Sequence, residues 1–387
     1  ELEHVAAPPQ RRRAAPAPGE TPLPHDGLPE RGMDPGAVLE ALLGHPNVGS
    51  RAWVTTQYDQ TVGADTVAGC DRAAGVLRVK GTRRALVIAT DSQPFVALHD
   101  PSLGAALAVA ECARNVAVAG ARPLGLTNCL NFGDPGIPEA YWQLSESVRG
   151  MAEACRALGI PITGGNVSLF NESPLGRIAP TAQIGVVGLI DDIDLLVGPA
   201  FADEGDLVVL LGETTPGMAG SLYERLAGMA PDDGPPALDL RREAALHQVL
   251  NSATADAMLV SAHDVSGGGL AVCLAESAIW GDIGADLQLA VAQAPAVALF
   301  GESPTRVVVT VKQARWPELS RLAASQRIAC RRLGTVGGDR LQIRLSGVGA
   351  TGAAEERGAG VADALDVPVT ELSRAWQHGL PRALGEG

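Results

Sequence analysis

The stretch TGGNVSLFNE, Thr163–Glu172, indicates most about how the chain folds and where it binds a ligand. It follows the apolar run IPIT at residues 160–163, which predicts a β-strand. Two adjacent glycines come next, and glycine lets a backbone approach a ligand closely. Polar side chains at the end of a strand can converge on one site. The stretch therefore predicts a strand that ends in a binding loop, with four polar side chains within seven residues: Asn166, Ser168, Asn171 and Glu172.

Helices and strands alternate irregularly on both sides of this stretch. The small-residue segment SLGAALAVAECARNVAVAG, Ser102–Gly120, predicts a long helix with a Ser cap and a Gly stop, and Pro138–Gly159 predicts a second. GAVLEALLG predicts a short helix after Asp34 and Pro35. Apolar runs such as RALVIATD, TAQIGVVGLI, DLVVLLG and TRVVVTV predict strands. This irregular order predicts an α+β (mixed α/β) fold.

Composition and charge exclude several classes of function. The formal net charge of −14 argues against a general nucleic-acid surface, which is usually basic. The six cysteines are scattered without a C-x-x-C pair, so they predict neither a zinc site nor a disulfide framework. Such cysteines are typical of a reducing, cytoplasmic protein. No segment has the length of a membrane helix without a charge or a turn former.

The composition also divides the chain. Residues 1–33 are rich in Pro, Arg and Ala, which predicts an extended or mobile linker and a piece of a longer polypeptide. We predict a linker with a short helix at residues 1–48, an N-terminal domain at 49–195 and a C-terminal domain at 196–387. The second domain starts near the strand DLVVLLG, after the polar connection DDIDLLVGPAFADEGD.

Three segments share the design of a strand followed by a polar, glycine-containing loop. They are VIATDSQP (87–94), GLTNCLNFGDP (125–135) and TGGNVSLFNE. Their Asp, Glu and Asn oxygens suit Mg²⁺ with a nucleotide better than they suit zinc or a redox metal. Asn, Asp and Gly also form ordinary turns, which is the alternative for any one of these loops.

A fourth candidate is SAHDVSGGGLAVCLAE, Ser261–Glu276. Its three glycines open a predicted helix, whose backbone N–H groups would favour an anion. The run lacks the G-x-x-x-x-G-K-[ST] spacing of a P-loop. His263 at this strand end is either a hydrogen-bonded structural residue or part of a site.

Five motifs together resemble the synthetase subunit of the phosphoribosylformylglycinamidine synthase family, from about residue 49 to the end. They are QYDQTVGADTV, TNCLNFGDP, TGGNVSLFNE, HDVSGGGLAVCLAE and GTVGGDRLQI. The family's synthetase is a fused tandem of two similar halves, and this chain resembles the C-terminal half. The resemblance implies a half built like aminoimidazole ribonucleotide synthetase, with a sheet-forming N-terminal α/β domain followed by a C-terminal α/β domain.

The resemblance also implies a reaction. The family uses ATP and ammonia to convert the formamide oxygen of formylglycinamide ribonucleotide into an amidine. ATP phosphorylates the oxygen, ammonia displaces phosphate, and Mg²⁺ with cationic groups stabilises the transferred phosphoryl. The implied partners are the N-terminal half of the same synthetase, a glutaminase subunit that delivers ammonia, and a small accessory subunit.

Site residues follow from the resemblance by position. Asn128 and Gly165 correspond to ATP-contacting positions, Asn166 to a Mg²⁺ ligand and Ser168 to a substrate or phosphate contact. Asn128 stands where the family often has Asp, so it keeps an acceptor oxygen and loses a charge. Asp91 resembles an acidic metal ligand of the first half. Gly267 replaces an Asp of the common HDVSDGG motif, and the family's catalytic His and ATP-contacting Lys belong to the absent first half.

Three functions are consistent with these motifs. The first is part of an ATP-dependent C–N ligase. The second is a binding or scaffold half whose nucleotide is structural. The third is another ATP-using member of the same superfamily, which QYDQTVGADTV and TNCLNFGDP disfavour.

Overall fold

The computed structural model describes residues 34–69, 72–174, 176–227, 234–347 and 362–386. The linker predicted for residues 1–33 lies outside these ranges. Within them, the helices are α1 (Pro35–Leu43), α2 (Ala52–Thr55), α3 (Pro94–His99), α4 (Pro101–Val118), α5 (Pro138–Leu158), α6 (Leu222–Ala227), α7 (Leu240–Ala255), α8 (Gly269–Gly281), α9 (Pro295–Phe300), α10 (Trp316–Ser325) and α11 (Val369–Ala383). The strands are β1 (Thr66–Ala68), β2 (Gly75–Arg78), β3 (Ala85–Asp91), β4 (Arg122–Asn131), β5 (Ile162–Ser168), β6 (Glu172–Ser173), β7 (Gly176–Arg177), β8 (Thr181–Ile190), β9 (Leu207–Leu211), β10 (Leu259–Asp264), β11 (Ala285–Ala290), β12 (Val307–Val311), β13 (Cys330–Val336), β14 (Arg340–Ser346) and β15 (Ala362–Pro368).

The N-terminal domain is a six-stranded sheet in the order β1-β2-β3-β8-β4-β5. Strand β8 is antiparallel to both β3 and β4, and β4 is parallel to β5. Strands β3, β4 and β5 therefore end at the same edge of the sheet. Helices α4 and α5 pack on one face, where small side chains such as Ala108 and Ala113 are fully buried.

The predicted long helices are confirmed, with one difference at a cap. Helix α4 is capped by Asp100, whose carboxylate accepts a hydrogen bond from the Leu103 N–H, rather than by Ser102. Helix α5 ends at Gly159, which has a φ of 68° as a C-terminal glycine stop requires.

The C-terminal domain is a seven-stranded mixed sheet in the order β10-β12-β9-β13-β11-β14-β15. Helices α8, α9 and α11 pack on one face, and α7 and α10 cover the other face beside β9 and β12. The mixed α/β architecture in two domains is thus as predicted.

Helix α1 packs into the C-terminal domain although it precedes the N-terminal domain in sequence. Its apolar face, Val38, Leu39, Leu42 and Leu43, is buried in one cluster with Leu365 and Leu372. The segment predicted as linker and short helix therefore contains part of the C-terminal core.

None of the helices in the described ranges combines the length and apolar character that a bilayer span requires. The cysteines at 112, 129, 155, 273 and 330 are free.

Candidate functional site

The predicted site residues lie within strand ends rather than in loops. Strand β5 continues through Ser168 and β4 through Asn131, so residues 163–168 are not the loop that the sequence predicted. The chain leaves the strand at Leu169. Adjacent glycines usually weaken a strand, but parallel pairing with β4 holds this one in place.

Four residues form one row across the sheet. Asp91 and Asn128 both pair with Ile184 of β8, and Asn128 pairs with Gly165 of β5. Directly opposed residues share a face, and Ile184 is fully buried beneath the helices. The side chains of Asp91 and Asn128 therefore point to the helix-covered face, two strand spacings or about 10 Å apart.

Gly165 leaves room for the Asn128 side chain. A Cβ at Gly165 would lie 2.8 Å from the Asn128 Cγ and 2.9 Å from its backbone oxygen. At Gly164 a Cβ would meet nothing within 4 Å. Of the two glycines, only Gly165 is required by its surroundings.

Asn166 and Ser168 lie on the opposite, open face. Asn166 pairs with Cys129, and Ser168 pairs with Asn131. The exposed Asn166 amide nitrogen lies 3.7 Å from the Cys129 sulfur, and its amide oxygen accepts no hydrogen bond from the described residues. The Ser168 hydroxyl lies 3.3 Å from the Asn171 amide oxygen. The structure thus brings Asn166 and Ser168 together and places Asn128 on the other side of the sheet.

The open face changes character along the strands. Towards the ends of β3, β4 and β5 it carries Thr127, Cys129, Asn131, Asn166 and Ser168. Away from that edge it is apolar, with Ile88 39% exposed and its cross-strand neighbour Val187 37% exposed. A polar end suited to a ligand therefore adjoins an apolar surface.

Asp91 belongs to a carboxylate pair beneath the sheet. Burial, then repulsion from Glu111 on α4, raises its pKa well above the ordinary value. Glu111 accepts a hydrogen bond of 2.8 Å from the Gln93 amide. A cation would relieve this repulsion, although within the described ranges no three His, Cys, Asp or Glu side chains are arranged to hold a metal ion. Asp91 and Asn166 lie on opposite faces and three strands apart, so one ion with ligands about 2.1 Å away could not bind both.

Arg114 on α4 is the centre of a buried charge cluster between the domains. Its guanidinium donates to Asp264 at the end of β10 and, at 2.7 Å, to Glu243 on α7. All three side chains are at most 1% exposed. Burial raises the pKa of Asp264 to about 7 despite this ion pair, and its second carboxylate oxygen has no hydrogen-bond partner among the described residues.

The glycine run at the start of α8 contacts a carboxylate of this chain, that of Glu302. The partly buried carboxylate of Glu302 accepts hydrogen bonds from the N–H groups of Gly268 (2.7 Å) and Leu222 (2.9 Å). Burial raises the pKa of Glu302 to about 7. A Cβ on Gly267 would meet nothing within 4 Å, so packing does not explain why glycine stands there.

His263 is structural in these surroundings. Its Nδ1 lies 3.1 Å from the Cys273 carbonyl, and its Nε2 lies 3.5 Å from the Glu276 carboxyl. Burial lowers its pKa to about 4, so the ring is neutral at pH 7.

The buried pair of Arg114 and Glu243 was not predicted from the sequence. One signal was available for Arg114, because a charged residue inside the small-residue segment AVAECARNVAV must be buried with a partner. The partners lie 129 and 150 residues further along the chain, and nothing in the sequence identifies them.

Two family models match the chain. The model described as AIR synthase related protein, N-terminal domain, matches residues 71–190. The model described as AIR synthase related protein, C-terminal domain, matches residues 203–346.

Similar proteins include phosphoribosylformylglycinamidine synthase subunit PurL of Moorella thermoacetica, which is 41% identical over 355 residues. That match covers 92% of this chain and 46% of the relative. The subunit of the same name from Frankia casuarinae is 40% identical, over 97% of this chain and 46% of the relative. The chain thus spans less than half the length of these relatives.

Solved structures of Thermotoga maritima PurL share the fold. The structure titled as complexed with FGAR has a TM-score of 0.68 at 17% identity, covering 87% of this chain and 53% of that one. The structure titled as complexed with ATP has a TM-score of 0.65 at 18% identity, covering 88% and 52%.

Proposed function

Because the chain belongs to the AIR synthase related family, we propose that it is the C-terminal half of a phosphoribosylformylglycinamidine synthase. The observation that carries this proposal is sequence identity to PurL subunits. About two residues in five are identical along nearly the whole of this chain, and the match covers less than half of each relative. The complete enzyme would be an ATP-dependent C–N ligase of de novo purine biosynthesis.

The proposed reaction amidates formylglycinamide ribonucleotide. ATP phosphorylates the formamide oxygen, which makes it a leaving group, and ammonia then displaces phosphate. Ammonia would come from a glutaminase subunit acting with a small accessory subunit, and a similar solved structure, of PurLQS from Thermotoga maritima, is in keeping with such an assembly. The catalytic His and ATP-contacting Lys are expected in the N-terminal half. The free cysteines support a reducing, cytoplasmic location.

We place a Mg-nucleotide at the edge strand β5. Residues 162–167 are all exposed, so a ligand can reach both faces of this strand. Asn166 offers Mg²⁺ an amide oxygen that accepts no hydrogen bond from the part of the chain that the structure describes, and Ser168 beside it offers a hydroxyl to phosphate or substrate. Asn128 and the Gly165 backbone would contact ATP from the other face. Mg²⁺ would neutralise phosphate charge there, and Asp91 with Glu111 would belong to a separate cation site.

The N-terminal half would dock on the apolar part of the open sheet face. Exposed aliphatic side chains on a sheet face are typical of a protein interface, and here they adjoin the proposed site. The occupant that fits is the homologous sheet of the absent half, which would then complete the site.

Reconstitution tests the proposal. The chain alone, with Mg-ATP, ammonia and formylglycinamide ribonucleotide, should form no amidine, because the catalytic half is missing. Co-expression with the N-terminal half should restore turnover. Turnover by the isolated chain would contradict the proposal. A complex that forms and remains inactive at every ammonia concentration would favour the scaffold alternative.

A matched pair of substitutions tests the docking face. Val187→Lys adds a charge to the open face and should abolish association with the N-terminal half. Val148→Lys adds the same charge on the outer surface of α5, where Val148 is 42% exposed, and should leave association unchanged. Equal association of both variants would rule out this face.

A further inference from the structure

The C-terminal sheet contains a wedge between two neighbouring strands. Strands β11 and β13 pair only from Ala285 opposite Val336 to Leu287 opposite Gly334. Beyond that point β11 continues to Ala290 beside β14, and β13 starts at Cys330 beside β9. The two strands therefore diverge while each keeps its other neighbour.

A β-bulge accompanies the divergence. The register of β13 against β9 shifts between Arg332 and Gly334, and bulges bend a strand and re-aim its side chains. The wedge opens into a cleft of about 1200 Å³, a volume that would admit a nucleotide-sized molecule. The cleft also includes the carboxyl ends of β9, β11 and β14, where open α/β sheets commonly bind ligands.

The cleft has positive charge without a local counter-charge. Its two acidic residues are already engaged, Glu213 with Arg242 at 2.6 Å and Asp286 with Arg344. Arg331 and Arg332 are exposed and form no ion pair with any residue that the structure describes. The chain as a whole has a net charge of −14. Two adjacent arginines in a cleft, with no ion pair to the described residues, therefore make this cleft locally positive on an acidic protein.

The two arginines lie on opposite sides of β13. Arg331 pairs with Leu210 and Arg332 pairs with Val209. Leu210 belongs to the core cluster on one face of the sheet, and Val209 belongs to the cluster on the other face. A molecule seated in the wedge can thus be held from both faces of the sheet. Thr215 lies in the loop that lines the cleft, and its buried hydroxyl has no hydrogen-bond partner within the described ranges.

We propose that this wedge binds a small phosphate-bearing anion through Arg331 and Arg332. Guanidinium groups match phosphate geometry with paired hydrogen bonds. Apolar side chains beside them, such as Leu289 and Leu333, would contact an uncharged part of the ligand. The site lies in the other domain from β5, and the proposal does not depend on the amidation reaction.

Calorimetric titration of the 387-residue chain with inorganic pyrophosphate tests the proposal. The double variant Arg331→Gln/Arg332→Gln should bind at least about tenfold more weakly, since it loses two charge-assisted contacts. The control Arg321→Gln/Arg374→Gln removes the same charge from α10 and α11, outside the cleft, and should bind like wild type. Equal weakening in both double variants would overturn the proposal.

Arginine modification localises the binding. Phenylglyoxal should label Arg331 and Arg332 readily, and pyrophosphate should protect them, in wild type and in Asn166→Ala alike. Protection that is absent, or that disappears in Asn166→Ala, would assign the bound anion to another site and reject the wedge. Because Asn166→Ala perturbs only the site at β5, failure here leaves the proposed amidation function untouched.

Discussion

Replacing Arg114 should show how strongly the buried charge cluster joins the two domains. Arg114 is 1% exposed and pairs with Glu243, which is fully buried, and Asp264, which is 1% exposed. Arg114→Met keeps much of the side-chain volume and leaves two buried carboxylates without their cation. Breaking a buried ion pair from one side costs about 3–5 kcal/mol, so the free energy of unfolding should fall by about that amount.

The surface offers a matched control. Arg149 also pairs with two carboxylates, Glu146 at 2.6 Å and Glu153 at 2.8 Å, but its side chain is 53% exposed. Exposed pairs contribute about 0–1 kcal/mol each, so Arg149→Met should change stability little. Urea unfolding at pH 7, followed by circular dichroism, measures both variants.

A triple variant separates unpaired charge from lost packing. Arg114→Met combined with Glu243→Gln and Asp264→Asn removes the uncompensated charges and should recover part of the loss. A loss below about 1 kcal/mol in Arg114→Met, similar to that in Arg149→Met, would contradict this prediction, because it requires the two carboxylates to be solvated or protonated at little cost.

Two further predictions concern single residues. The pKa of His263 falls from 6.5 to about 4 on folding, so the unfolded chain binds this proton more tightly, and the contribution of His263 to stability should decrease as the pH falls from about 6.5 towards 4. This decrease should reach about 2 kcal/mol by pH 5. In urea unfolding, His263→Gln should lack this pH-dependent loss, whereas the control His378→Gln, at an exposed histidine, should retain it. Identical pH profiles of the two variants would contradict the lowered pKa of His263. Gly165→Ala should weaken ATP binding by displacing Asn128, whereas Gly164→Ala, with open space at its Cβ, should not. Isothermal titration of the two variants in the complete synthetase measures the ATP affinities. Equal affinities would contradict an ATP contact by Asn128.

Periodicity and caps predicted the helices well, because their signals are local. Helix α1 shows this, since its four apolar positions are those that the structure buries. The same signals could not assign α1 to the C-terminal domain, because its contacts with Leu365 and Leu372 come from the far end of the chain. Strand β5 was partly missed because its glycines suggested a loop, and only its pairing with β4 makes it a strand.

The candidate site was predictable in its residue types and not in its geometry. The cluster of polar residues around Asn166 and Ser168 is visible in the sequence. The segments that contain Asp91 and Asn128 show the same pattern of an apolar strand followed by polar residues and glycine. Which face each side chain occupies depends on register, and one residue of shift reverses the face. The structure therefore separates Asp91 and Asn128 from Asn166, which sequence spacing alone could not do.

Asn166 is proposed to hold a Mg-nucleotide at the edge strand β5, and calorimetric titration of Asn166→Ala tests this assignment. The titration belongs in the complete synthetase, with Mg²⁺ present, because the proposed function has the N-terminal half complete this site. Losing one metal ligand should weaken nucleotide binding by more than about tenfold, or 1.4 kcal/mol. Thermal stability without ligand should change little, since Asn166 is exposed and outside the packed core. Unchanged nucleotide affinity together with a drop in stability would show instead that Asn166 only supports the strand.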